Sequence, residues 1–331
     1  MEFKFEFHFL FMKRFLLPVL FVVSFYVHGQ GCSDAGFCTM GAMKPDQPYN
    51  KKIALKLRSM EISFYRGETT LTPIVYVATA DFNFSLNRKN TFQIKVPYQW
   101  VNGRLAQTSS MSDISLCFTR NIYSSDKFDV NLSLGGKIPT NNSDMSTSEG
   151  NALPMYYQTS LGTYDLISGI SLISRKWLFA TGIQVPLNQN KNNFDWNRWD
   201  GGPSNPNLDQ VELEYVKQYA NATNLQRGID VMLRVERNFR FSRFNCSVGL
   251  LPIYRITADK ITNNAGVRTS VDAKGNEAIG LAMSWITTVG YNFNVRSGVR
   301  LLAGHKITQR EFSPDGLTRE WVTSLTYIYR F

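Results

Sequence analysis

The sequence predicts an all-β fold, a transmembrane antiparallel β-barrel of about twelve strands with an N-terminal periplasmic or plug segment. Three observations predict it. Apolar and polar residues alternate with period two along stretches of about eleven residues, roughly twice the common strand length. Tight turns and long polar loops alternate along the chain. The chain ends on an aromatic after a strictly alternating stretch, Trp321 to Phe331.

Taken in order, the first residues read as a leader. Lys13 and Arg14 form a basic region, Phe15 to Tyr26 an apolar one, and Val27 to Gly29 a small-residue site. The apolar stretch is shorter than the ~20 residues an anchor needs, so residues 1–29 are expected to be a signal peptide. Met12 is an alternative start to Met1. The mature chain is then exported, and disulfides are permitted. Residues 30–50 are expected to form the periplasmic or lumenal plug segment, and residues 51–331 the barrel.

Twelve alternating segments follow, at 51–65, 73–86, 91–101, 113–123, 128–138, 162–174, 177–187, 228–240, 244–258, 278–293, 299–309 and 318–331. In the third, Phe92, Ile94, Val96, Tyr98 and Trp100 share one face, with Gln93, Lys95 and Gln99 on the other. The first segment flips its apolar phase near Ser59, as a β-bulge would. The sixth is ambiguous in facing. Asn87–Asn90, Ser124–Lys127, Arg175–Lys176, Phe241–Arg243 and Asn294–Gly298 are tight turns. The longest loops are 139–161, 188–227 and 259–277. An eleven-residue strand spans ~36 Å; tilted by about 40°, it crosses roughly 28 Å, the height of an outer-membrane apolar band. Phe84, Phe92, Phe128, Trp177, Phe244, Phe293 and Phe331 mark one end of the strands. Trp100, Tyr254 and Trp321 mark the other, as two interfacial girdles would. The terminal pattern ending at Phe331 is similar to the strand signal that the barrel-assembly machinery reads.

The middle of the chain also resembles a known family. Val96-Pro97-Tyr98, Ser110-Met111-Ser112-Asp113, Pro139-Thr140-Asn141 and Leu161-Gly162-Thr163-Tyr164-Asp165 resemble motifs of the outer-membrane transporters named for the MetA pathway of phenol degradation. These are relatives of the FadL-like fatty-acid-transporter barrels. Two glycines before the aspartate are serines here, and a glycine after Thr140 is asparagine. The resemblance covers roughly residues 91–187. It implies a barrel and, less directly, transport of hydrophobic compounds.

The net charge of +10 is scattered without a like-charge run, so nucleic acid is not an expected partner. The expected partners are outer-membrane lipid, a small hydrophobic solute and envelope proteins. No cofactor or metal is expected, and the chain is expected not to be an enzyme. His305 is the single histidine outside the leader, and it lacks a serine two residues later. The lumen is the expected working surface. Lys95, Lys137, Asp81, Asp129, Asp165, Asp230, Arg234, Glu236, Arg255 and Arg300 fall on the inward face, either as a selective constriction or as a salt-bridged filling. Trp196, Arg198 and Trp199, in the loop NNFDWNRWDGG, are candidates for an extracellular contact; the alternative is packing within the loop. Cys32 and Cys38 admit a lipidated, a zinc-bound and a disulfide reading. Export favours the disulfide, whose short loop is worth about 2–3 kcal/mol. Cys117 falls inward and Cys246 outward, too far apart in facing to pair. The function expected is a passive channel of the bacterial outer membrane for small hydrophobic or amphipathic compounds. The alternative is a non-catalytic scaffold subunit of a larger outer-membrane complex.

Overall fold

A strand that is apolar on one face and polar on the other needs a different surrounding on each side. A closed sheet supplies both, because its outside can meet lipid while its inside holds polar groups. A computed structural model describes Met40, Lys44 and residues 56–199, 210–263, 265–270, 279–310 and 312–331. Its wall consists of β1 (Lys56–Glu68), β2 (Ile74–Ser85), β3 (Asn90–Asn102), β4 (Gln107–Met111), β5 (Ile114–Ser124), β6 (Phe128–Ile138), β7 (Asp165–Ser174), β8 (Trp177–Pro186), β9 (Asp230–Arg240) and β10 (Phe244–Arg255). A small hairpin, β11 (Lys260–Thr262) and β12 (Arg268–Ser270), stands outside it. The wall resumes with β13 (Gly280–Asn292), β14 (Ser297–Thr308) and β15 (Trp321–Arg330).

Neighbouring strands are antiparallel throughout. The sheet closes where β1 pairs with β15, from Ser59 opposite Arg330 to Glu68 opposite Trp321. β4 and β5 both pair with β3, over different stretches. They act as one strand interrupted at Ser112 and Asp113, and the wall is a closed twelve-stranded antiparallel barrel. The β1–β2 register shifts between Leu57 and Ser59, where the apolar phase of the sequence flips. The β4 extension and the β11–β12 hairpin were not expected, being too short for alternation to register.

The facing is inverted relative to a water-soluble protein. Phe64, Leu132, Leu134, Leu166, Phe179, Leu250, Leu301 and Leu325 are exposed on the outside. Glu61, Asp81, Lys95, Ser133, Lys137, Asp165, Gln184 and Arg234 are buried within. Burying apolar surface is worth about 25 cal/mol per Å², so an apolar belt of this kind calls for lipid rather than water. No helix among the described residues is long and apolar enough to cross a membrane; the strands do so.

The hairpin ends explain the alternation of connections. Ser125, Ser174 and Asn294 each accept backbone N–H bonds across their own turns, as at Trp177 N to Ser174 Oγ, 2.9 Å. Such side-chain turns need few residues. The other end carries the long loops, and these fold inward rather than outward. Loop residues Leu153, Tyr157, Phe194, Val216, Tyr219 and Leu225 are fully buried. Two short helices lie in the 187–229 loop, α1 (Trp196–Trp199) and α2 (Gln210–Val216). The chain therefore carries a plug made of its own loops at the long-loop end.

Candidate functional site

The lumen holds three polar groupings. The first lies on β1, β2, β3 and β14. Lys44 donates to Glu61 at 2.5 Å and lies 3.6 Å from Asp81. Arg300 pairs with Glu61 at 2.7 Å, Lys95 approaches Asp81 at 3.9 Å, and Gln93 donates to Asp81 at 2.8 Å. The second lies on β9, where Arg234 Nε donates to Glu236 at 2.6 Å. The third sits under the loops. Arg255 grips both oxygens of Asp230 at 2.8 and 2.6 Å and both of Asp259 at 2.6 and 2.7 Å, and meets Asp315 at 2.9 Å. Arg310 joins Asp315 at 3.1 Å. Nearby, Asp165 accepts from Arg227, Gln184 and Thr163.

Nine of the ten expected lumenal residues are thus buried inside the wall. Asp129 is the exception. It lies half-buried at the tight-turn end, accepting from Ser124 Oγ at 2.5 Å, apart from the three groupings. The alternation placed it inward, but a strand's inward face at the rim meets solvent rather than lumen. Glu61, Asp113, Arg227, Asp259, Arg310, Asp315 and Arg319 were missed. Glu61 lay beside the phase flip, Asp113 at a strand break, and the others in or beside loops, where no period marks a facing.

For the loop tryptophans the structure has the second of the two expected arrangements, packing among the loops. Trp199 is buried, donating from Nε1 to Ala152 O at 2.9 Å and packing edge-on to Phe194. Trp196 Nε1 donates to Tyr219 O at 2.5 Å. Only Arg198 of the three is exposed. Indole N–H groups seek a buried carbonyl when one is near; the same loop supplies one at Tyr219 and the β6–β7 loop the other at Ala152. The expected Cys32–Cys38 disulfide lies outside the described residues. Cys117 and Cys246 are free, the first buried in the lumen and the second half-exposed on the opposite face.

The plug is stitched by amides. Gln158 accepts from Met145 N and donates to the carbonyls of Met145 and Leu153, all within 3.0 Å. Asn192 donates to Ser143 O and Leu153 O. Asp113, at the β4–β5 break, accepts from Ser160 Oγ at 2.5 Å and Leu161 N at 3.2 Å. Thr140 donates to Met111 O at 2.6 Å. Gly162 has φ +68, and a Cβ there would lie 2.8 Å from the Asn142 carbonyl. Of the motif residues quoted for the family resemblance, Met111, Asp113, Thr140, Leu161 and Gly162 thus meet at the base of the plug.

Burial shifts the ionisation of the plug. Burial opposes the charge on Asp315, but Arg310, Arg255 and Arg227 outweigh it and hold the carboxyl below the usual range. For Asp259, burial aided by Asp315 prevails over the two arginines, and its pKa is raised. Burial also raises Tyr156, Tyr157 and Tyr219. Tyr219 bonds Tyr215 at 2.9 Å, while Arg104 stacks on the Tyr215 ring at 4.4 Å.

The lumen also holds an apolar patch. Across the ring from the β1–β3 sector, β7 to β10 and β13 point Ile167, Ile173, Leu178, Ala180, Met232, Leu251 and Ile286 inward, interleaved with the charges of Asp165, Arg234, Glu236 and Arg255 on the same strands. Met40, ahead of the barrel, is buried in this apolar patch, and Lys44 reaches the charged sector opposite.

Comparison with solved structures places this architecture. An outer membrane channel from Pseudomonas putida F1 is similar over 86% of this chain and 99% of its own, at 10% identity and a TM-score of 0.57. The chain has the fold of an outer-membrane β-barrel. The NanC porin matches over 84% of this chain and 99% of its own, at 8% identity and a TM-score of 0.42. Outer membrane phospholipase A from Escherichia coli matches over 84% and 98%, at 8% identity and a TM-score of 0.38. No family model and no curated protein matches the chain, so the family resemblance of residues 91–187 gains no support there. The expectation that the chain is not an enzyme is corrected. Outer membrane phospholipase A, an enzyme, stands among the matching barrels, and at 8% identity the match does not make this chain catalytic. His305 stacks on Trp321 at 4.4 Å between ring centroids, with Nδ1 3.0 Å from Glu320 O.

Proposed function

We propose that this chain is a plugged channel of the bacterial outer membrane for small hydrophobic or amphipathic compounds. The observation that carries this reading is the apolar patch inside the lumen. A purely salt-bridged filling would leave no such patch, whereas here seven apolar side chains of β7–β10 and β13 face the ion pairs of β1–β3, beside the Arg234–Glu236 pair of their own wall. A solute with one apolar and one polar side can satisfy both walls at once, without leaving a buried polar group unpaired. In this reading the loops close the outer mouth, and residues 30–50 are a hatch from the periplasmic side. Burial of Met40 and the Lys44–Glu61 pair support the hatch.

The test is conductance of the pure barrel in planar bilayers, with uptake into liposomes of butanesulfonate, an amphipathic solute that bare lipid excludes. The full chain should conduct poorly. Deleting residues 30–48 should raise both conductance and uptake several-fold, and an unchanged, silent barrel would remove the channel reading. The interlocked loops favour a second reading, a scaffold subunit of a larger outer-membrane complex. Its mark would be a stable partner copurifying with a barrel that stays silent after the deletion.

A further inference from the structure

One cavity in the molecule has the composition of a ligand site. It measures about 70 Å³ and lies between the inner wall of β2, β3, β5 and β6 and the overlying loop segments 155–161 and 315–319. At roughly 10–15 Å³ of such water-centre space per buried water, it has room for about five waters or for a short-chain carboxylate. Three cationic side chains line it, Lys95, Lys137 and Arg319, each more than nine-tenths buried.

Lys95 already faces Asp81 at 3.9 Å and Lys137 is partnered as well, so Arg319 is the cation that an added anion would serve. Both carboxylates on the cavity wall are engaged too. Asp113 accepts from Ser160 and Leu161. Asp315 is held by Arg255 and Arg310. Arg319 has no carboxylate partner among the described residues. Its guanidinium donates to the carbonyls of Gly316 and Thr318 at 3.0 and 3.1 Å, and its Nε has no hydrogen-bond partner. A guanidinium left so deep in the protein with only neutral acceptors is costly, and an anion would relieve that cost. Ser112, Ser115 and Thr159 add hydroxyls around the same space, while Val75, Val77 and Leu317 supply an apolar flank.

We propose that this cavity is an anion subsite taking the carboxylate head of a small amphipathic acid, with Arg319, Lys137 and Lys95 as its cations. The proposal rests on the channel reading and narrows it: among amphipathic solutes, short-chain carboxylic acids are preferred. The head would sit under the loops, with the aliphatic tail along the apolar flank. Arg319 is the geometric key, because its planar fork matches a carboxylate and a lysine's point charge does not.

The test is calorimetric titration of the full-length barrel in detergent at neutral pH with butyrate, beside butyramide and chloride. Butyrate should bind at least tenfold more tightly than butyramide and be displaced by chloride only at large excess. Arg319→Gln should lose at least tenfold in butyrate affinity, and Arg319→Lys should lose part of it. A heat-modifiable gel shift checks that each variant is folded, and Lys137→Gln supplies the same comparison if Arg319→Gln fails to fold. Equal binding of butyramide, chloride competing as well as butyrate, or full affinity in the folded variants would each overturn the subsite. A barrel that conducts without binding butyrate sinks the subsite and leaves the channel. One that binds butyrate but never conducts leaves the subsite and sinks the channel.

Discussion

Arg255 shows most clearly what a single residue does here. It is buried and ties β10 to Asp230 on β9, to Asp259 in the following loop and to Asp315 in the loop before β15. One guanidinium thus holds three separate stretches of chain together. Removing it leaves buried carboxylates unpaired, a change that typically costs about 3–5 kcal/mol. Arg255→Met should lower the detergent unfolding temperature and loosen the loops, read as faster amide exchange across residues 309–320. Acid should act at the same place. The carboxyl of Asp315 is held below its ordinary value, so its contribution is complete above about pH 4 and is lost as pH falls below that. Asp259 has the opposite shift and opposite sign: it takes its proton first, and protonation there favours the folded plug. Loop protection measured by amide exchange should therefore hold from pH 7 to about 4 and fall only in stronger acid. In Asp315→Asn that acid step should vanish, on a plug already weakened at pH 7.

At the scale of the element, the strands were legible and the loops were not. β6 spans Phe128–Ile138, the same residues that alternation marks, because its two faces meet different surroundings over its whole length. The loop around Trp199 has no period to read. Its burial comes from bonds such as Asn192 to Ser143 and Leu153, between residues far apart in the chain. The charges of the site divide in the same way. Lys95 and Arg300 were visible from their strands, whereas Asp315 and Arg319 acquire a role only when the loop before β15 folds under its neighbours. Gly162 is a test of that folding. A left-handed backbone costs a non-glycine residue about 1–2 kcal/mol, and the added Cβ would press on Asn142. Gly162→Ala should leave the barrel folded but raise its conductance, by loosening the base of the plug. Trp199→Ala should act in the same direction and more strongly, since emptying a buried aromatic site costs about 3–5 kcal/mol.

For the whole molecule, the closed wall predicts resistance to detergent denaturation. The unheated protein should migrate differently from the boiled protein on a gel, and identical migration would count against a closed barrel. In the proposed channel two closures would be stacked in one bore: the loops at the outer mouth and the N-terminal hatch, of which Met40 and Lys44 are the described residues, both held inside the wall. Removing residues 30–48 alone should therefore raise conductance less than removing them together with the Gly162→Ala change. Equal effects of the single and double variants would show that only one closure limits flow.

The seam between β1 and β15 has a kinetic consequence. Its partners, such as Ser63 and Thr326, stand at opposite ends of the chain. The wall cannot become a ring until the last strand has been made, and until then both borders carry bare backbone groups. Contacts so distant along the chain form slowly, and open strand borders invite pairing with other molecules. A nascent chain would remain vulnerable until Trp321–Arg330 arrives. Truncation before Trp321 would remove only the final strand, yet it would strand the borders of β1 and β14 together.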